Sequence, residues 1–305
     1  WAFTFPALVF LIATSAAPAQ VLDRGHRVLV ERGLQLQALA HPVQNGFDLD
    51  RWNQSNFTTI DLHYHPYPTF AELPAGLEGI PWGRSMHHQE FYLDHDLFDH
   101  EMPYVSDMIR YQIRDEQDLT DPDEITYTAE IFSFLHEKYP NILLNTDVGM
   151  SVIELRNFMQ QAKPDLIMNQ SYPFSNAMGN VGGSPWLLYE NLSLFREAGL
   201  AGNDGTGSRP IPNGLFTQKF VRSGHTVSDS EARLQDFAAW AFGFKVVDSF
   251  FYDSVPGGEL QAVMFSGAGT DNPTSLFYQV AETNRQSLNL GPALVRLLST
   301  DVRLQ

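Results

Sequence analysis

The side chains able to do chemistry in this 305-residue chain are carboxylates, histidines, hydroxyls and amides, because it contains no cysteine. That composition excludes disulfides, thiolate metal sites and a cysteine nucleophile. Two acids stand side by side at Asp115-Glu116, directly after the apolar run Met108–Ile113, and Asp61, Asp147 and Asp253 also lie at or just beyond the ends of apolar runs. A pair of carboxyls can do general acid–base work, one protonating a leaving oxygen and the other attacking or activating water. The charge of Asp115 raises the cost of ionising Glu116, and partial burial acts in the same direction, so Glu116 is the candidate proton donor. Asp115 and Asp253 complete the candidate catalytic set. The bland alternative is that Asp115 caps the next helix and Glu116 makes a structural hydrogen bond.

A second chemistry is written in Asp61-Leu62-His63-Tyr64-His65. In an extended segment alternation points both imidazoles to one side, as in the first ligand pair of metal-dependent, amidohydrolase-like barrels. Such a centre takes further histidines from later strands, and Asn145-Thr146-Asp147 and Asn169-Gln170-Ser171 supply none. His87, His88, His95 and His100 cluster elsewhere, with nothing to fix their geometry. The expectation is therefore no metal and no organic cofactor, with His63 and His65 donating to substrate hydroxyls.

The elements that must position these residues follow a strand-then-helix rhythm. Helix starts are marked by the capping boxes Ser151–Glu154 and Ser228–Glu231, by Asp121-Pro122, by Ser184-Pro185 and by Asn272-Pro273. Apolar runs precede them at 34–40, 58–62, 108–113, 141–145, 165–168, 213–217 and 245–251, with an eighth at Gln89–Leu93. Short apolar strands alternating with amphipathic helices imply a parallel sheet covered by helices. About eight units in roughly 270 residues match an α/β fold of the (β/α)8 TIM-barrel type, as a single domain. An open doubly wound sheet is disfavoured, since no glycine-rich phosphate turn follows a strand.

Barrel chemistry sits at the carboxyl ends of the strands. Polar and aromatic residues are dense there, as a sugar-binding mouth requires, and the candidates are His63, His65, Trp82, Asp147, Asn169, Tyr172, Gln218 and Tyr252. Trp82, in Pro81-Trp82-Gly83, is expected on a loop as a stacking platform, and Trp240, at apolar helical spacing, in the core.

Nineteen Lys and Arg against thirty-six Asp and Glu give a net charge of −17, which excludes a phosphate-neutralising stripe and so a nucleic-acid partner. Phe3–Ala16 is an uncharged apolar run followed by Ala17-Pro18-Ala19, the pattern of a secretory signal peptide over residues 1–19. A secreted protein without stable membrane insertion is expected, with residues 20–305 forming the barrel. Sequons at Asn53, Asn56, Asn169 and Asn191 fit a glycoprotein, with Asn169 expected unmodified because of its place at a strand end.

Four stretches carry a resemblance to a known group. Tyr111-Gln-Ile-Arg-Asp115-Glu116-Gln-Asp118 resembles the strand end, often Asp-Glu-Pro, of secreted barrel proteins related to glycoside hydrolases. Lys163-Pro-Asp-Leu-Ile-Met-Asn-Gln-Ser-Tyr172-Pro-Phe174 is similar to their Tyr-Pro-Phe strand. Ala238–Lys245 and Asn289–Val302 resemble a later helix-to-strand turn and the closing helix. The resemblance implies a sugar-cleaving enzyme with its acid at Glu116 and a carbohydrate as partner. It also implies a glutamate after the seventh strand, where Gln218-Lys219 stands, and an aspartate ahead of Tyr172, where Asn169-Gln170-Ser171 stands. A catalytically inactive sugar-binding barrel is thus the alternative. Related proteins continue into a C-terminal β-domain, expected to be missing from this chain.

Overall fold

The computed structural model describes residues 22–41, 48–64, 79–86, 96–97, 99, 101–148, 152–176, 183–254 and 260–303. Residues 1–19, Gln89–Leu93, His65, His87, His88, His95 and His100 lie outside that set, so the leader and histidine-cluster expectations are not addressed by it.

The sheet has nine parallel strands: β1 (Gln35–Ala40), β2 (Thr59–Tyr64), β3 (Trp82–Met86), β4 (Met108–Gln112), β5 (Leu143–Asn145), β6 (Asp147–Val148), β7 (Ile167–Ser171), β8 (Asn213–Gln218) and β9 (Val246–Phe250). Their order is β5-β4-β3-β2-β1-β9-β8-β7-β6. The two terminal members, β5 and β6, are separated in sequence only by Thr146, so they are halves of one stave. β5 pairs with β4 and β6 with β7, which closes the ring into the expected (β/α)8 barrel.

The third strand is the exception to the sequence reading. It is Trp82-Gly83-Arg84-Ser85-Met86, ahead of the Gln89–Leu93 run. An apolar-run criterion misses it because its inner positions are polar or bare. A Cβ on Gly83 would come within 3.3 Å of the Asp61 carboxylate, so this position leaves room for a buried charge. Arg84 is buried in a 2.8 Å ion pair with Glu101.

Helices α1 (Arg24–Arg32), α2 (Leu49–Ser55), α3 (Pro122–Lys138), α4 (Val152–Ala162), α5 (Pro185–Ala201), α6 (Asp229–Ala241) and α7 (Ser275–Leu294) surround the sheet. Local chemistry sets their starts. Asp121 accepts from the Asp123 and Glu124 amides with Pro122 in the first turn of α3, and Ser228 and Glu231 form a reciprocal capping box on α6. On α3, Ile125, Thr128, Ile131, Phe132 and Leu135 recur at helical spacing and are the buried face. Helix α1 plugs the amino end of the barrel, placing Val28 and Leu29 in one cluster with Ile109, Leu143, Met168, Phe216 and Val246.

Halfway up the interior lies a charged layer rather than an apolar one. Arg110 Nη2 donates to Asp61 at 2.5 Å and to Asp248 at 2.6 Å, and all three side chains are fully buried. Burial, then the Asp61 charge, raises the Asp248 carboxyl well above its ordinary range, with Arg110 opposing.

Candidate functional site

The site is built by the way the fourth and fifth staves part. Past the end of β4 the Asp147 amide donates to the Arg114 carbonyl, and the Asp147 carbonyl accepts from the Gln117 amide, both at 3.1 Å. Asp115 and Glu116 are the two residues left between these clasps, so they bulge out of the ladder around Asp147. Glu116 takes a left-handed φ of 45°, which lets the chain return to the second clasp. The next helix is capped by Asp121, which removes the capping role considered for Asp115.

The result is a three-carboxyl cluster on one wall of a cavity of about 400 Å³ at the carboxyl end of the barrel. Asp147 is buried, Asp115 half-buried and Glu116 exposed. Gln170 on β7 donates its amide to both Asp147 and Asp115, bridging the two. Burial is the first cause, and the Asp115 charge the second, of a strong upward shift of the Asp147 carboxyl. A hydrogen bond with Asp115 and the Glu116 charge add to it, and only Gln170 opposes. Two carboxyls in contact hold one proton between them more readily than two charges, so the proton belongs to the pair.

Among the described residues, the rest of the cavity is an aromatic floor and a single cation. Tyr172 packs edge-on to Phe220 with ring centroids 5.1 Å apart, and Phe250 lies 5.6 Å from Tyr172. Burial and the nearby acids keep the Tyr172 hydroxyl protonated. Ser85, Gln112 and Phe216 form the base, above the Arg110 layer, and Arg222 stands at the rim.

Of the residues expected in the site, Asp115, Glu116, Asp147 and Tyr172 are brought together. Others are placed elsewhere. Trp82 is buried in β3 rather than displayed on a loop, with its indole donating to the Tyr104 carbonyl at 3.1 Å. Tyr252 is core, edge-on to Trp52 and Phe265 at 5.3 and 5.0 Å. Asp253 is buried outside the cavity lining, where its carboxylate accepts from the His41 amide at 2.9 Å and ties the end of β1. Gln218 binds the amide and carbonyl of Phe174 at 3.1 and 2.7 Å, holding the loop after β7. Lys219 pairs with Asp236 on α6, at 3.2 Å.

Asn169 is fully buried, between Met168 in the interior cluster and Gln170 in the cavity, so strand alternation turns it toward the helices. Asn191 is also buried and donates to Ser171, so neither of these sequons offers a surface for a glycan. Asp61 is engaged by Arg110 and by Ser85 at 2.6 Å. The side chains of His63 and His65 lie outside the described set, and among the described residues no trio of His, Asp or Glu is grouped to hold a metal.

Sequence reasoning missed Arg222, Phe220, Phe250 and Gln112. All four end or follow a recognised strand: Gln112 and Phe250 are the last residues of β4 and β9, and Phe220 and Arg222 follow β8, so reading a few residues around each strand end would have found them.

No protein family matches the sequence, and no curated protein does either. Solved structures do resemble the fold. The endo-1,4-β-D-mannanase of Thermotoga petrophila RKU-1 aligns over 83% of this chain and 99% of its own, at 10% identity and a TM-score of 0.51. A GH2 β-galacturonidase from Eisenbergiella tayi aligns over 83% of this chain and 51% of its own, at 10% identity and a TM-score of 0.55. The Ruminococcus gnavus β-glucuronidase aligns over 82% and 50%, at 11% identity and a TM-score of 0.50. The fold is the TIM barrel used by glycoside hydrolases. The chain spans about half the length of the two uronidases.

Proposed function

We propose that the chain cleaves a glycosidic bond in the cavity at the carboxyl end of the barrel. The observation that carries this is the Asp115–Asp147 pair bridged by Gln170, with Glu116 beside it above an aromatic floor. The pair acts as one proton-holding unit. Its carboxyls are in contact, whereas the acid and base of a glycosidase stand about 5–9.5 Å apart to accommodate the sugar and the attacking group. The pair therefore protonates the leaving oxygen, and Glu116 supplies the second carboxylate, as nucleophile or as base for water. This moves the proton from Glu116, where the sequence placed it, to its buried neighbours. Tyr172, Phe220 and Phe250 supply an apolar surface for the sugar. The apolar run at Phe3–Ala16 supports secretion as part of the same reading.

The test is hydrolysis by Asp147→Asn and Glu116→Gln on glycosides with poor and with activated leaving groups. Loss of the donor should slow the poor leaving group by about 10²–10⁴-fold and spare the activated one. Glu116→Gln should slow both. Because Asp147 is raised, its ionisation weakens folding as pH climbs above the ordinary carboxylate range. Asp147→Asn should thus melt higher than the parent at pH 8 while losing activity. Full activity of Asp147→Asn on the poor leaving group would refute the assignment.

Binding without cleavage is a second reading, favoured by Gln218, whose amide is consumed by the Phe174 backbone where the resemblance calls for an acid. It predicts sugar affinity that is unchanged by Glu116→Gln and no turnover by the parent.

A further inference from the structure

The cavity described above has one feature that acid catalysis does not use. Among the described residues lining it, three are acids and Arg222 is the only cation. Arg222 is exposed, and no ion pair joins it to an acid among the described residues, although the cavity holds a surplus of carboxylates. Its guanidinium donates to the Tyr172 carbonyl and lies 5.8 Å over the Tyr172 ring. A planar fork held on its inner edge and face still has donors on its outer edge.

The backbone that carries Arg222 is also fixed. Arg222 and His225 exchange both amide hydrogen bonds, at 3.0 and 2.9 Å, and Ser223 and Gly224 between them take φ of 47° and 76°. That is the two-residue turn with left-handed centres that closes a tight hairpin. His225 Nε2 in turn lies 3.1 Å from both oxygens of Glu231, the residue that completes the α6 capping box. Arg222 is thus mounted on a turn fastened to a helix end, and little ordering entropy remains to be lost on binding.

We infer that Arg222 is a carboxylate receptor, and that the saccharide bound in this cavity carries an acidic group, as a uronic acid does. The inference rests on the glycoside reading and narrows its substrate class. The positions suit it. The acids come from the fourth and fifth staves, whereas Arg222 follows β8, so a sugar lying across Tyr172 on β7's exit can present its acid to Arg222 and its glycosidic oxygen to Asp147. The proton held by the Asp115–Asp147 pair lowers the repulsion such a substrate meets.

The experiment is calorimetric binding to the full chain of short glucuronate and galacturonate oligosaccharides, each paired with its neutral glucose or galactose counterpart. The parent should prefer the acidic member, with an affinity that falls as salt rises. Arg222→Gln should weaken the acidic ligands about 10–100-fold, the range of a lost charge-assisted hydrogen bond, and leave the neutral ones within about threefold. Arg222→Lys, which keeps the charge and loses the fork, should recover part of the difference. Equal affinity of the parent for acidic and neutral sugars, or an equal loss of both in Arg222→Gln, would overturn the inference while leaving the glycoside reading in place. Binding of neither kind by the parent would overturn both.

Discussion

Replacing Arg110 with leucine tests whether the middle layer of the barrel interior is held by charge pairing. Among the described residues Arg110 is the only cation contacting the buried Asp61 and Asp248 carboxylates, at 2.5 and 2.6 Å. Removing one partner of a buried pair costs about 3–5 kcal/mol, because it strands the remaining charge away from water. For a domain of this size, at roughly 2 cal/mol/K of unfolding entropy per residue, that lowers Tm by about 5–8 °C. The deficit has a predictable pH dependence. Asp248 already sits high, so its contribution to stability is greatest below the ordinary carboxylate range and declines as pH rises. Without Arg110 only the backbone hydrogen bond at Leu39 opposes that shift, and the penalty relative to the parent should grow from pH 5 to pH 8. Melting followed by circular dichroism at both pH values provides the assay. The triple replacement Arg110→Leu, Asp61→Asn, Asp248→Asn, which strands no charge, should recover much of the loss. A Tm change below about 2 °C, or a larger deficit at pH 5 than at pH 8, would refute the argument.

Two other substitutions test how the scaffold is assembled. Gly25→Ala improves intrinsic helix propensity by about 1 kcal/mol, yet its Cβ would lie 2.0 Å from the Asp165 carbonyl oxygen, so sterics should win and urea unfolding should show a net loss of about 1–3 kcal/mol. Ser228→Ala removes the capping oxygen of α6 and should cost about 1 kcal/mol, measured as a lower urea midpoint at unchanged slope.

How much of this was legible in the sequence follows from which signals are local. Seven of the eight staves were readable because each keeps an apolar face toward the helices, as Leu34–Ala40 and Lys245–Phe251 do. The third was not, because Trp82–Met86 uses Gly83 and Ser85 beside the Arg110 layer and buries Arg84 against Glu101. That pairing joins residues distant in sequence and leaves no periodicity to detect. Helix starts were readable for the opposite reason: a cap satisfies amides two or three residues away, and Asp121 and Ser228 do so. Among site residues, position along a strand end was visible and direction was not. Asn169 and Gln170 are neighbours, yet one faces the helices and the other bridges two catalytic candidates. Gln218 and Asp253 occupy strand ends as expected, but their polar atoms are taken by loop backbone.

The break at Thr146 links fold and chemistry. An unbroken fifth stave would keep its ladder to β4 regular, and successive residues would alternate between interior and helices without gathering acids at one point. Here the ladder is interrupted at Thr146, whose hydroxyl donates to the Arg114 carbonyl at 3.1 Å, while Asp147 beyond it bonds both to the segment after β4 and to β7. The two clasps on the Asp147 backbone force Asp115 and Glu116 out between them. Three carboxyls are thereby packed together at a structural cost, and the upward shift of Asp147, caused first by burial and then by the Asp115 charge, is the form that cost takes. The bulge that the two clasps create is therefore what gathers the proposed proton donor at the ends of the fourth and fifth staves.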